Sequence, residues 1–323
     1  MMQLNQTMLA FFIIQGISDV PGLQVPIFLM VLVIYLLTLV GNMTILLLVC
    51  SDPQLHKPMY FFLCNLSILD LSSINVTLHN TLAIFISGDR KVSFLGCMAQ
   101  VCMFSWLSGN ELILLTAMSY DRYVAICKPL RYPTLMNQRV CVLLAVTCWV
   151  FSLIQVLPPV FILAKFSCYT SNKINHFFCD IVILMRLSCS DTSVLELLIF
   201  TEGVLLSTFT PFVLTFTSYV FIINAIMRIK TNNGRRKAFH TCSSHLTVVT
   251  LLYVILVCQY LTPTSTTTLD FNKFFSLFNT AAVPMLNPLI YSLKNKDVKL
   301  AARRRLKCFK IINHPKKNIF IKR

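Results

Sequence analysis

Hydrophobic and polar residues follow one another along this chain in long blocks. Seven of the apolar blocks reach the roughly 20 residues that a membrane helix needs. They cover residues 25–50, 59–87, 97–127, 140–165, 197–229, 239–261 and 274–293. The sequence shows no series of alternating segments of about ten residues, the pattern of a membrane β-barrel. The pattern therefore predicts an all-α membrane protein, a bundle of seven transmembrane helices.

The polar blocks set the domain boundaries. Residues 1–24 form a polar N-terminal segment, residues 25–293 hold the seven spans, and residues 294–323 form a basic tail. The connections are short except for residues 166–196. Several spans contain proline, which a membrane bundle tolerates because neighbouring helices satisfy the freed backbone groups.

Composition supports the membrane assignment. The chain is 56% hydrophobic and 12% charged, with a mean hydropathy of +0.72, whereas a soluble domain carries about 25% charged residues. We see no nucleophile and base pair of an enzyme, and no pair of related halves as in many transporters. A small-solute transporter is retained only as a remote alternative.

Charge placement predicts the orientation. Of 28 Lys and Arg residues, 22 lie in one set of connections and the tail. The other set holds only Arg90, Lys91, Lys165, Lys173, Arg186 and Lys273. By the positive-inside rule the N-terminus is outside and the C-terminus is cytoplasmic. No basic segment precedes the first span, so we expect no cleaved signal peptide. The net charge of +16 reflects this asymmetry rather than nucleic-acid binding.

The third span ends in an acid–base pair, Asp121 and Arg122. Ionisable residues at membrane depth are costly and usually functional. A breakable ion pair at the cytoplasmic rim suits a switch, and the alternative is an anchor that only fixes helix depth. On the opposite side, Cys97, Cys168, Cys179 and Cys189 allow three disulfide pairings. Asn5 begins an N-glycosylation sequon in the N-terminal segment.

Six motifs in order carry a family resemblance: Gly41-Asn42, 55–63, 118–127, Ser218-Tyr219, 237–245 and 284–291. Over nearly its whole length the chain resembles an olfactory receptor of the rhodopsin-like G-protein-coupled class. The length of the second outer loop is similar to that of the tetrapod-type class II subgroup. His240 stands where the family usually has serine.

The resemblance implies a mechanism and partners. Arg122 would release Asp121 and meet an olfactory stimulatory G protein, which raises cyclic AMP, when span six moves outward. Tyr123, Tyr219 and Tyr291 would belong to the same switch, and Asn287-Pro288 would supply the span-seven kink. A short amphipathic cytoplasmic helix would follow span seven. The implied disulfides are Cys97–Cys179 and Cys168–Cys189. A metal set of His176, Cys179 and Asp180 is therefore disfavoured. Expression of such a receptor outside the nose is the alternative.

The resemblance also implies a pocket between spans three, five and six, open to a small odorant. The candidate lining residues are Phe104, Ser105, Ser108, Gly109, Gly203, Ser207, Tyr253, Leu256, Val257, Tyr260 and Thr280. Ordinary helix packing is the alternative for each of them. Apolar walls with scattered hydroxyls are typical of small-molecule pockets. Phe104 stands where amine receptors carry an aspartate, which disfavours a cationic amine.

Two acids, Asp70 and Glu111, fall in the middle of spans two and three. An isolated carboxylate there must be neutralised or paired. The resemblance implies that they face each other near Asn42 and Asn287 and could hold a structural sodium ion; it implies no other cofactor. The alternative is a pair of protonated acids bonded to the asparagines.

Overall fold

The computed structural model of the protein describes residues 10–18, 20–261, 268–294 and 296–313. The sequon at Asn5 and the side chain of Tyr260 lie outside the described part, so those two predictions stay predictions.

Eight long helical segments follow one another within the described ranges. They are α1 (Gln24–Ser51), α2 (Pro58–Ser87), α3 (Phe94–Cys127), α4 (Gln138–Ala164), α5 (Ser193–Met227), α6 (Asn232–Leu261), α7 (Thr268–Leu277, Phe278–Ala282 and Val283–Lys294) and α8 (Lys296–Asn313). The middle of α5, Ile199–Phe209, and the middle of α7, Phe278–Ala282, are π-helical. Short helical turns occupy Pro21–Leu23, Pro53–Leu55, Pro129–Arg131, Tyr132–Leu135 and Ile181–Leu187.

Local sequence sets several helix ends. Gly88 ends α2 in the left-handed conformation, with φ +72°, which glycine adopts at no steric cost. The Ser93 hydroxyl caps α3 by accepting from the Gly96 amide at 3.1 Å. The Asn137 side chain caps α4 by accepting from the Val140 amide at 3.0 Å. These caps satisfy backbone N–H groups that the first turn of a helix leaves unpaired.

Five of the described helices are long and apolar enough to cross a membrane: Pro21–Ser51, Pro58–Ser87, Phe94–Cys127, Gln138–Ala164 and Ser193–Met227. A shorter apolar stretch, Cys242–Cys258, lies in α6. Large apolar side chains such as Leu47, Leu143 and Phe216 are at least 60% exposed on the outer faces of their helices. So much exposed apolar surface is expected of helices that face lipid.

Helix α3 lies at the centre of the bundle and contacts α2, α4, α5 and α6. The Trp149 indole N–H donates to Asn65 Oδ1 at 3.1 Å, and the Trp106 indole N–H donates to the Trp149 carbonyl at 2.9 Å. These bonds join α2, α3 and α4. Helix α1 packs against α2 and α7. Gly41 permits the α1–α7 contact, because a Cβ at this position would lie 2.9 Å from Pro288 Cγ.

A small sheet covers one end of the bundle, which we call the sheet end. Strand β1 (Phe11–Ile14) lies between antiparallel β2 (Lys91–Ser93) and parallel β3 (Lys173–Ile174). In register, Ile13 pairs with Lys91 and with Lys173. Both disulfides, Cys97–Cys179 and Cys168–Cys189, join residues at this end. Both pairings agree with the resemblance, but the sheet was not predicted from the helical pattern.

The opposite end, which we call the basic end, carries the α3–α4 and α5–α6 connections and α8. Helix α8 is amphipathic, as predicted: Val298 and Ala301 are buried, whereas Lys299 and Arg303 are exposed. The Arg304 Nη2 atom lies 2.6 Å from Asp52 Oδ2, which fixes α8 to the α1–α2 connection.

Candidate functional site

A cavity of about 400 Å³ opens between α3, α4, α5, α6 and α7 near the sheet end. Seven of the eleven predicted ligand residues line it: Phe104, Ser105, Ser108, Gly109, Gly203, Ser207 and Leu256. The space beside Gly109 is open: a Cβ added to Gly109 would lie 3.8 Å from Ser152 Cβ, which is an ordinary contact distance. The predicted faces of α3 and α5 therefore both line the cavity.

Three predicted residues do not line the cavity. Val257 is 52% exposed on the outer face of α6, since it follows Leu256 by one residue and so points about 100° away. The Tyr253 ring packs edge-on against Phe212 of α5, with centroids 5.1 Å apart. Thr280 is buried and donates to the Ser276 carbonyl at 2.8 Å. Tyr253 and Thr280 therefore take part in helix packing in this structure, whereas Val257 points away from the bundle.

The contribution of the α4–α5 connection to the cavity wall was not predicted from the sequence. Residues of this connection reach the cavity because the Cys97–Cys179 disulfide holds it against α3. They include Asn175, His176, Phe178, Asp180, Ile181, Val182, Ile183 and Arg186. The predicted disulfide was the one signal that could have revealed this wall. Gln155 of α4 and Glu202 of α5 also line the cavity and were given no role.

The connection is held by its own polar contacts. His176 is buried, and its Nδ1 accepts from the Phe178 amide at 3.4 Å. Burial, with a further contribution from Lys273, lowers the pKa of His176 to about 3, so the ring is neutral. The Asp180 carboxylate caps the helix Ile181–Leu187 by accepting from the Val182 amide at 2.9 Å. Desolvation raises the pKa of Asp180 in spite of this bond. Cys179 is disulfide-bonded and so is not free to join these residues as a metal ligand.

Below the cavity, the predicted acids come together in the middle of the bundle. The Asn287 amide donates to both Asp70 oxygens, at 3.1 and 3.2 Å. Glu111 is near enough to interact with Asp70 and Asn287. The Asn42 amide donates to the Pro284 carbonyl at 3.1 Å. The resemblance implied that the two acids lie near Asn42 and Asn287, and in the structure these four residues lie close together.

Three buried oxygens around these acids accept no hydrogen bond from any described residue: Asn42 Oδ1, Ser67 Oγ and Glu111 Oε1. Oxygen ligands of this kind suit a hard cation. The residues present therefore fit a sodium ion as a ligand set, with charge from Asp70 and Glu111.

At the basic end, α3 carries the acid–base pair. Asp121 is fully buried and Arg122 is 8% exposed. The Arg122 guanidinium donates to Asp121 Oδ2 through Nε, at 2.9 Å, and through Nη2. The Tyr132 hydroxyl of the α3–α4 connection donates to Asp121 Oδ1 at 2.8 Å. Both carboxylate oxygens are therefore occupied, and the guanidinium is held against its own helix.

A second lock joins α3, α5 and α6. The buried His245 ring lies between two partners: its Nε2 donates to the Leu115 carbonyl at 3.1 Å, and its Nδ1 accepts from the Tyr219 hydroxyl at 2.7 Å. In the sequence, His245 was recognised only as part of the motif 237–245. Its role as a crosslink depends on a bond across 130 residues and was not predictable from spacing.

The other predicted switch residues lie around these locks. The Tyr123 ring packs near Phe221 of α5, with centroids 5.9 Å apart. Tyr291 is 1% exposed, and its hydroxyl has no partner among the described residues. Pro288 lies inside the helix Val283–Lys294. Asn287, by contrast, lies in the middle of the bundle, where it bonds to Asp70.

Comparison with known proteins decides the family. A family model described as "Olfactory receptor" matches residues 31–308. The chain belongs to the olfactory receptor family. The receptor is 44% identical over 300 residues to mouse "Olfactory receptor 5AR1", covering 93% of this chain and 96% of the relative. It is 42% identical over 316 residues to human "Olfactory receptor 6C1", covering 98% of each.

Membership defines the class of protein. Olfactory receptors are G-protein-coupled receptors with seven transmembrane helices and are not enzymes. The receptor is accordingly a multi-pass membrane protein whose partners are a G protein and a small ligand. Helices α3, α5 and α6 each contribute residues both to the cavity and to the His245 crosslink.

Proposed function

We propose that the receptor binds small, mostly apolar odorants in the cavity and activates the olfactory stimulatory G protein, which raises cyclic AMP. In this proposal the N-terminus and the sheet end are outside the cell, and the basic end is at the cytoplasmic face of the plasma membrane. The excess of Lys and Arg at the basic end supports this orientation.

One observation carries the proposal: single helices join the cavity to the locks. In α6, Leu256 lines the cavity and His245 forms the lock. They are eleven residues apart, or about 16 Å at 1.5 Å per residue. A ligand that favours a different position of α6 would therefore act directly on the His245 crosslink. In such a bundle the ligand shifts the equilibrium between two helix arrangements, because it binds one arrangement more tightly than the other.

An odorant panel read by cyclic AMP tests the proposal, with Arg122→Ala as the diagnostic variant. We expect Arg122→Ala to reach the cell surface and lose the agonist response, because the guanidinium that would meet the G protein is gone. Arg139→Ala is the matched control, since Arg139 is an exposed basic residue at the same end. Full signalling by Arg122→Ala at equal surface level would contradict the assigned role.

We also propose that Asp70 and Glu111, with the unpartnered oxygens of Asn42 and Ser67, hold a sodium ion. The measurement is the thermal midpoint of purified receptor in NaCl against choline chloride. Sodium should raise the midpoint of the wild type and have no effect on Asp70→Asn. An equal midpoint in both salts for the wild type would favour protonated acids instead.

A further inference from the structure

Three residues of the cavity wall have a buried polar atom with no partner among the described residues: Glu111 Oε1, Glu202 Oε2 and Gln155 Nε2. Glu111 belongs to the proposed sodium site, which leaves Glu202 Oε2 and Gln155 Nε2 for a ligand. Both are shielded from solvent. Buried polar groups in proteins are nearly always hydrogen-bonded, because an unpaired one costs free energy. Gln155 and Glu202 both line the cavity, so a ligand that enters it could supply a partner for both atoms.

Gln155 is oriented by its neighbour. The Ser207 hydroxyl of α5 donates to Gln155 Oε1 at 2.9 Å. The amide oxygen is therefore occupied, and the amide nitrogen, which only donates, is left for another acceptor. Gln155 thus offers the cavity a hydrogen-bond donor.

The π-helical part of α5 brings Glu202 to the same wall. Residues five apart share a face where the hydrogen bonds run from i to i+5, and Glu202 and Ser207 both line the cavity. Threonine hydroxyls support the wide turns, since Thr208 Oγ1 donates to the Gly203 carbonyl at 2.9 Å. π-Helical turns often occur at functional sites. Glu202 thus offers the cavity a hydrogen-bond acceptor.

The charges of the wall exclude one class of ligand. Three carboxyl groups line the cavity, Glu111, Asp180 and Glu202, against one guanidinium, Arg186. Arg186 interacts with Asp180. Glu111 belongs to the proposed sodium site, so Glu202 is the acid of this wall that is left without a counter-charge. A ligand carboxylate beside Glu202 would meet like charge, which disfavours its binding.

We propose that the cavity selects small apolar alcohols, whose hydroxyl donates to Glu202 Oε2 and accepts from Gln155 Nε2. The inference rests on the proposed odorant-binding function and names its ligand class. A hydroxyl is both donor and acceptor and so satisfies both atoms. An ammonium satisfies Glu202 alone, and an ether oxygen satisfies Gln155 alone. Leucine side chains, including Leu252 and Leu256, line the cavity for the hydrocarbon part.

The test uses purified receptor and straight-chain primary alcohols of six to ten carbons, each with its matched methyl ether, primary amine and carboxylic acid. Ligand-induced thermal stabilisation gives the apparent affinities. In the wild type the best alcohol should bind at least tenfold more tightly than its matched ether, amine or acid, as expected for an added buried hydrogen bond. Alcohols that bind no better than their ethers would overturn the proposal.

Variants assign the two bonds. Glu202→Leu should weaken the alcohol and the amine about tenfold or more and leave the ether unchanged. Gln155→Leu should weaken the alcohol and the ether and leave the amine unchanged. Glu202→Gln keeps an acceptor oxygen and nearly the same shape, so it should weaken the alcohol less than Glu202→Leu does. Equal losses for all ligands in each variant would refute the assignment.

Glu196→Leu is the matched control, because Glu196 is exposed on the same helix and already accepts from the Thr192 hydroxyl at 2.7 Å. Its alcohol affinity should equal that of the wild type, and a loss as large as in Glu202→Leu would count against the proposal. Binding to purified receptor does not depend on cyclic AMP. The expected binding pattern without a cyclic AMP response would therefore support the ligand class and refute only the coupling.

Discussion

Removing the Tyr132 hydroxyl should make the receptor active without ligand. That hydroxyl donates to Asp121 Oδ1 at 2.8 Å, while the other oxygen is held by Arg122. Burial and the neighbouring Asp121 raise the pKa of Tyr132 well above its usual range, so the phenol stays a donor at physiological pH. Tyr132→Phe deletes one bond of the lock and keeps the ring packing.

The size of the effect follows from the bond. A hydrogen bond to a charged group contributes about 1.5–3 kcal/mol to stability. Tyr132 is only partly buried, and Asp121 keeps its contact with Arg122, so we expect a net loss of about 1 kcal/mol. That loss changes the ratio of inactive to active receptor about fivefold.

Basal cyclic AMP at matched surface expression is the assay. We expect Tyr132→Phe to raise the basal signal up to about fivefold and to shift the agonist half-maximal concentration downward. Tyr120→Phe is the control, because it removes the hydroxyl of a neighbouring tyrosine that is 41% exposed. If the two variants give the same basal signal, Tyr132 does not restrain the switch and the reasoning fails.

Two further variants test the packing and the pH response. Gly41→Ala should destabilise the receptor by about 1–3 kcal/mol, because its methyl group would lie 2.9 Å from Pro288 Cγ. Gly22→Ala is the control and should leave the thermal midpoint unchanged, because a Cβ on Gly22 would have nothing within 4 Å. Equal thermal midpoints for the two variants would exclude the clash. Burial lowers the pKa of His176 to about 3, whereas an unfolded histidine titrates near 6.5. As pH falls, the unfolded state therefore takes up the proton first. The stability that neutral His176 contributes is complete above about pH 6.5 and is lost as pH drops from about 6.5 toward 3. Thermal midpoints at pH 7.5 and 5 should differ less in His176→Gln than in the wild type; identical differences would show that His176 does not carry this pH dependence.

The family comparisons define the class of protein independently of the cavity. Many different receptors share the bundle and the switch motifs, so membership says nothing about which ligand fits. The ligand class depends on the residues of the cavity wall, and in this receptor on the polar groups of Gln155 and Glu202.

Much of the architecture was predictable from the sequence. The length of an apolar block can be read from the sequence alone, and the thickness of the membrane sets the length that a spanning helix needs. Helices α1 to α5 accordingly begin and end within a few residues of the predicted spans. The Asp121–Arg122 contact joins adjacent residues, so it needed no long-range information. The position of Asp70 and Glu111 within two spans was visible in the sequence, whereas the disulfide pairs and the meeting of these two acids came from the family resemblance.

The tertiary structure decided which side chains meet. Helical periodicity gives relative directions within one helix, but the neighbours fix which face looks inward, so Leu256 lines the cavity and Val257 does not. A 3.6-residue period also fails in the π-helical part of α5, where Glu202 reaches the wall. Gln155 and the α4–α5 connection lie at the cavity wall because of contacts between residues that are far apart in the chain. Such contacts depend on how helices pack and on a disulfide across 82 residues, and neither is encoded in any single stretch of sequence.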